Sequence, residues 1–520
     1  MPTWTGLGAN NNWSTIGNWD TAVPTSATTA LFTGAGVSGS KNCTITAGAA
    51  CSLLSCSAYV GTMSLANTLT VVGNLTLNSG MTITGSGGIS KTGNGTLISN
   101  GVVLDGTLAL AGGGGTTHTF GSNWTINGNF GGNTGQNNIA GGGFTASIGG
   151  NLTSPGGLTT TTGGILYLLR GTGTLSGTYT GTAAATTIQI SSSVGTITQA
   201  TTAFAGINFI YTTGSYNSTG TLSIGGTTNT FNNVSSILFN SIAFGAAAGQ
   251  TLLLNSNMNI SGALSVATVA GIANGASYVI YVGGNLTLSS VALSGTATIE
   301  MSGSGNASIS AGTIQNNLTI NKSAEAIVTF PAGTVTWGTT ARTLTYTAGT
   351  INTSTSTFTI PINTSVTING MPFYNLTLPG AATYTIDTPI SIANNLTLAA
   401  TGNTTFTGSG GWTCANLICS TIGRTITLAN SSSGASYRTT ANTQLTATAA
   451  SPITMTSNNA TTQSIWTLDN GALQSLVYIN GTRIDSSQGQ TIWSFGATLN
   501  GTTNWATGSR PGTVAYTFVN

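Results

Sequence analysis

Apolar and polar side chains alternate along this chain in short runs, separated by glycine, asparagine or serine. "MTITG" (81–85), "TIQIS" (187–191), "TLTYT" (343–347) and "RTITL" (424–428) carry an apolar or aromatic residue at every second position. That is the period of a strand with one face buried. No apolar stripe of helical period runs over eleven or more residues. The best helical candidate, "AFGAAAGQTLLL" at 243–254, holds two glycines and reads as loop and strand.

A second pattern lies above the strand period. Asn-Leu-Thr recurs in "VGNLTL" (72–77), "IGGNLT" (148–153), "VGGNLTL" (282–288), "IQNNLTI" (314–320), "FYNLTL" (373–378) and "NNLTL" (394–398). Between Asn375, Asn395 and Asn416 the steps are 20 and 21 residues. Short strands at such a repeat predict an all-β fold, a parallel β-helix (β-solenoid). Asn marks a corner, where a short polar side chain tolerates unusual backbone and hydrogen-bonds to its counterpart one coil away. Leu takes the first inward position. The predicted division is an attachment or capping module at 1–59, the solenoid at 60–435 and a C-terminal β module at 436–520. Both ends are rich in aromatic residues, which suits caps over exposed strand edges.

Composition narrows the surface. Only 3% of the 520 residues are charged, against roughly 25% in an average globular protein. No apolar run approaches the roughly 20 residues of a membrane-spanning helix, so no membrane insertion is expected. The 74 glycines have no three-residue period, and aliphatic residues are abundant, which excludes collagen and disorder. The nine Lys and Arg are scattered, so no basic footprint for nucleic acid exists. The N-terminus has neither the basic nor the apolar region of a signal peptide. Release by cell lysis or a leaderless route is the expectation, with a leader upstream of Met1 as the alternative.

Candidate chemistry is sparse. The seven acids are Asp20, Asp105, Glu300, Glu325, Asp387, Asp469 and Asp485, and of the later ones only Asp469 and Asp485 are near in sequence. Polysaccharide cleavage needs grouped carboxylates; the expectation is a non-enzymatic protein without cofactor or metal. His118, the single histidine, follows "GGGG" and reads as an exposed loop residue. Cys43, Cys51, Cys56, Cys414 and Cys419 are odd in number and read as small core residues. Thr-x-Thr pairs occur at Thr44/Thr46, Thr82/Thr84, Thr345/Thr347, Thr383/Thr385, Thr425/Thr427 and Thr454/Thr456. Flat threonine arrays on a β-solenoid resemble ice-binding faces. These pairs do not recur coil after coil, so they read as the solvent side of ordinary strands. Trp4, Trp13, Trp19, Trp466, Trp493 and Trp505 are the candidate docking or glycan contacts, since aromatic faces stack on sugars.

Two end segments carry a family resemblance. The opening stretch, with Trp4-Thr5-Gly6, Asn12-Trp13-Ser14, Asn18-Trp19, Pro24 and Phe32, resembles the first module of autotransporter-type and related β-solenoid surface proteins. The closing stretch, with Asp485-Ser486-Ser487, Gly489, Trp493 and Asn504-Trp505, resembles a terminal module of β-solenoid proteins of phage virions. The resemblance implies a structural protein of a phage particle, a fibre or spike for architecture or host attachment, located in the virion. Its implied partners are other virion proteins, copies of itself (a homo-oligomer, a trimer being one arrangement) and host glycans. A secreted adhesin or surface filament, outside the cell or on its surface, is the second reading and a glycan-degrading tailspike the third.

Overall fold

The computed structural model describes residues 1–34, 41–133, 135–182, 186–226, 228–245, 249–267, 270–274, 278–288, 292–338, 342–361, 366–399 and 402–509. They form two compact units, Met1–Ser261 with Gly271–Tyr278, and Gly262–Ala270 with Val279–Asn520. Within each unit short strands stack in parallel ladders, one coil on the next. In the first, Leu54, Leu75, Leu97 and Phe120 lie in register on successive coils. In the second, Phe358, Leu376, Leu396 and Leu417 do the same. All eight side chains are buried. Each unit is therefore a parallel β-solenoid. Among the described residues the helical turns are three short ones, Ile16–Asn18, Val234–Ser236 and Ser431–Ser433. The segment at 243–254 contributes the end of the strand Ser241–Phe244 and the whole of the strand Gln250–Leu254, with 246–248 outside the described residues.

The alternating code sets which side faces in. Thr425–Leu428 is half-exposed at Thr425 and Thr427 and buried at Ile426 and Leu428. Coil stacking joins each inward residue to the same position one coil away, so the apolar lining is shared. A fully buried Leu contributes about 1.5–3 kcal/mol. Aromatic rings stack in the same columns: Tyr384 pairs with Phe406 at 5.8 Å between centroids, and Phe209 with Phe231 at 5.4 Å.

The Asn-Leu motif does two jobs at the coil corner. Leu75, Leu152, Leu286, Leu318, Leu376 and Leu396 are all wholly buried. The preceding Asn stays at the corner and extends the ladder beyond the strand. Its Oδ1 accepts the backbone N–H one coil later: Asn74 from Thr96 (2.9 Å), Asn151 from Thr174 (2.7 Å), Asn285 from Ser308 (2.8 Å) and Asn317 from Thr343 (3.0 Å). Direct Asn-to-Asn stacking, the predicted arrangement, occurs along Asn208, Asn232 and Asn255, between Asn430 and Asn458, and in one run of these motifs. Asn394 Nδ2 donates to Asn375 Oδ1, and Asn416 Nδ2 to Asn394 Oδ1 and Asn395 Oδ1, each at 3.0 Å. A backbone N–H at a turn would otherwise lose its partner, so accepting it is the more frequent use.

Pairing runs on through both expected module boundaries. Leu53–Ser55 is in register with Leu75–Thr76 across 59/60, and Gly411–Cys419 with Ser436–Thr446 across 435/436. The end segments are thus coils and caps of the solenoids. At the start, Thr3 bridges Leu31 and Asn12 bridges Thr44, both in parallel sense. Asn18 is buried and pins the loop: its Nδ2 donates to the carbonyls of Asn10 (2.7 Å) and Asn12 (2.9 Å), and its Oδ1 accepts from Gly8 (2.8 Å).

Candidate functional site

Four of the six candidate tryptophans are core. Trp4, Trp13 and Trp19 are buried against one another, with centroids 5.1 Å (Trp4–Trp19) and 4.8 Å (Trp13–Trp19) apart, and they close on Phe32, which in turn packs on Tyr59. Trp466 is wholly buried and meets Trp505 at 5.8 Å. These rings cap the apolar lining and offer no face to a sugar within one chain. Trp505 is half-buried and donates from Nε1 to Ser486 Oγ at 3.1 Å. Trp493 alone points outward from its strand, Ile492–Ser494, whose flanking residues are buried. Val477 bridges Phe495, which sets Trp493 beside Ser475, with Leu473 two residues on, about 7 Å away. Leu473 and Phe495 are 66% and 53% exposed. The outward faces of Leu473–Val477 and of the coil after it thus carry a patch of Leu473, Trp493 and Phe495.

The carboxylates stay apart. Asp469 is held by Arg438 in a two-pronged ion pair at 2.8 and 2.9 Å. Asp485 is in register with Ile465, four residues short of Asp469. That is about 13 Å along the strand, beyond the roughly 5–9.5 Å that separates paired glycosidase carboxylates. Asp485 also accepts the Ser487 N–H at 2.8 Å. With Ser431, Thr461, Thr462, Gln463 and Arg483 it lines a groove of about 490 Å³. No cluster of three metal-ligating side chains occurs among the described residues.

His118 corrects the sequence reading. It lies in the strand Thr116–Phe120, faces inward and has no exposed surface. The glycines before it end before that strand begins. Its Nε2 meets Asn137 Oδ1 at 3.2 Å, while Nδ1 has no partner. Burial holds its pKa down to about 4, with the Lys91 charge adding to the effect. Lys91 is itself buried, and its Nζ donates to the Val72 carbonyl at 2.6 Å and to the Gly93 carbonyl. Burial lowers its pKa to about 8. Lys322 repeats the device, donating to the Gly283 carbonyl. These cations satisfy corner carbonyls rather than face a ligand. All five cysteines are buried and free, as small core residues; burial pushes Cys51 and Cys414 up to about 12.

One surface is far more regular than the sequence suggests. In the second unit, the strands Thr343–Ala348, Val366–Asn369, Thr383–Thr385, Thr404–Thr407, Thr425–Leu428 and Ile453–Ser457 are consecutive neighbours in one sheet. Thr343–Ala348 turns Thr343, Thr345 and Thr347 outward, Val366–Asn369 turns Thr367 and Asn369 outward, and in the other four strands the outward pair is Thr: Thr383/Thr385, Thr405/Thr407, Thr425/Thr427 and Thr454/Thr456. Register aligns Thr343, Thr367, Thr385 and Thr407 in one column. It aligns Thr383, Thr405, Thr427, Thr456 and Thr482 in another. The Thr385 and Thr407 hydroxyls hydrogen-bond at 3.0 Å. The expectation that Thr pairs do not recur on successive coils is therefore wrong. Coils of unequal length hide the alignment in the sequence.

Comparison with protein-family models, with curated proteins and with solved structures finds no match.

Proposed function

We propose that this protein is a non-enzymatic structural and attachment element of a phage particle, a fibre or spike-like appendage. The carrying observation is that both solenoid units use their chemistry for architecture. Asp469 is tied to Arg438, Arg483 and Asp485 share one outer groove, and the buried Lys91, Lys322 and His118 cap backbone groups or pack in the lining. The outward side chains are neutral hydroxyls and amides, which suit a surface exposed to varying salt because little of its stability is screened. The outer patch of Leu473, Trp493 and Phe495 is the proposed docking surface for neighbouring subunits or a copy of this chain. The groove at Gln463, Arg483 and Asp485, with its mixed donors and acceptors, is the proposed glycan contact.

The test is immunogold labelling with an antibody to the chain, on material from its source separated into particles and cells. Labelled tail or surface appendages on particles support the reading. Label confined to cell envelopes or filaments overturns it in favour of the adhesin reading. Release of reducing sugars from host polysaccharide by the purified chain overturns the non-enzymatic part.

A further inference from the structure

The threonine face of the second unit has a geometry that an ordinary solvent-exposed sheet does not need. Its columns repeat at about 4.8 Å from coil to coil, and its paired residues stand about 6.7 Å apart along each strand. Thr is β-branched, so each side chain holds its methyl and hydroxyl in few rotamers. Every threonine from Thr383 to Thr456 in these columns is half-exposed. The columns themselves hold no ionised side chain between Thr343 and Thr456; the exposed Asp387 borders them beside Thr385, and Arg424, also in this span, is buried and turned inward. Shared side-chain ladders keep such a sheet flat. The result is a rigid mesh of hydroxyls and methyls, with both columns side by side at Thr383/Thr385 and Thr405/Thr407, a sideways step of one position at Thr425/Thr427, and Asp387 at its border.

Its size argues against a protein partner. Six strands at about 4.8 Å spacing, roughly 10 Å wide, present on the order of 250 Å², against about 800 Å² per partner in a stable complex. A periodic surface needs no shape complementarity beyond the repeat, because every unit of the mesh meets an equivalent site. Its partner must be uncharged, rigid and periodic on a rectangular mesh of similar dimensions. The oxygen rows on a prism face of an ice crystal meet that description. We propose that this face binds ice: its methyls sit between oxygen rows, and its hydroxyls join the ordered water. Ordering costs are low because both surfaces are already fixed. The inference is independent of the particle reading.

The test is partition of the purified full chain into a slowly grown ice hemisphere, with serum albumin as the excluded reference. Crystal shaping in a nanolitre osmometer and binding to powdered chitin and cellulose are measured beside it. Thr405→Lys and Thr427→Lys place charge at the centre of the mesh; Thr397→Lys, on a different sheet, is the control. Circular dichroism melts establish that each variant folds. The expected result is several-fold enrichment of the chain over albumin in ice. The two central variants should fall to the albumin level and the control should keep the enrichment. Exclusion of the unaltered chain from ice overturns the proposal, whether or not it binds a crystalline polysaccharide. So does unchanged enrichment in folded Thr405→Lys and Thr427→Lys.

Discussion

Acid should weaken the first unit through a single side chain. His118 is buried with Nδ1 unpartnered, and its pKa is held down to about 4, against 6.5 in an exposed imidazole. Between those values the unfolded chain binds the proton and the folded chain does not. Stability is complete above about pH 6.5 and is lost as pH falls toward 4. A gap of this size is worth about 3 kcal/mol at roughly 1.4 kcal/mol per unit. The neighbouring Lys91, with its pKa at about 8, remains charged throughout this window and does not alter the sign. As the only histidine, His118 gives one imidazole resonance, so its titration can be followed directly by NMR. Urea unfolding monitored by tryptophan fluorescence at several pH values measures the stability. The midpoint of the first unit should fall between pH 6.5 and 4, and His118→Gln should flatten that dependence. An imidazole that titrates near 6.5, or a midpoint indifferent to pH across this window, would refute the buried placement.

Three other outcomes follow from the stacking. Leu396→Ala removes an inward residue shared by the coils of Leu376 and Leu417 and should cost about 2–5 kcal/mol in urea unfolding of the second unit; a change within error would contradict the shared lining. Gly411 sits at φ +107°, and a Cβ there would fall on the Ser436 carbonyl oxygen of the next coil. Gly411→Ala should therefore destabilise by about 2–5 kcal/mol, visible as a lower melting temperature. The five cysteines should resist a thiol reagent at pH 8 in the native protein and react completely in denaturant; a thiol that reacts in the native state would show it lies outside the core.

Much of the fold is legible in the sequence because a solenoid repeats local rules. Alternation assigned inward and outward faces correctly at Ile426, Leu428, Thr425 and Thr427, since a strand has a fixed period of two. The Asn-Leu pairs marked corners and first inward positions, from Asn74-Leu75 to Asn395-Leu396. Composition supplied the neutral surface and the small buried cysteines.

Other features are decided between coils, and local sequence does not report that distance. His118 follows four glycines and reads as loop, yet the register with Ile139 turns it inward. Trp4, Trp13 and Trp19 resemble exposed anchors because asparagines surround them; Phe32, itself backed by Tyr59 from a later coil, covers them. Sequence alone determined the strand alternation, the corner chemistry and the solenoid class, since each depends on neighbours along the chain. Only the tertiary structure decided which coils stand opposite one another. Strand pairing tolerates unequal loops, so Thr343, Thr367, Thr385 and Thr407 share a column at steps of 24, 18 and 22 residues.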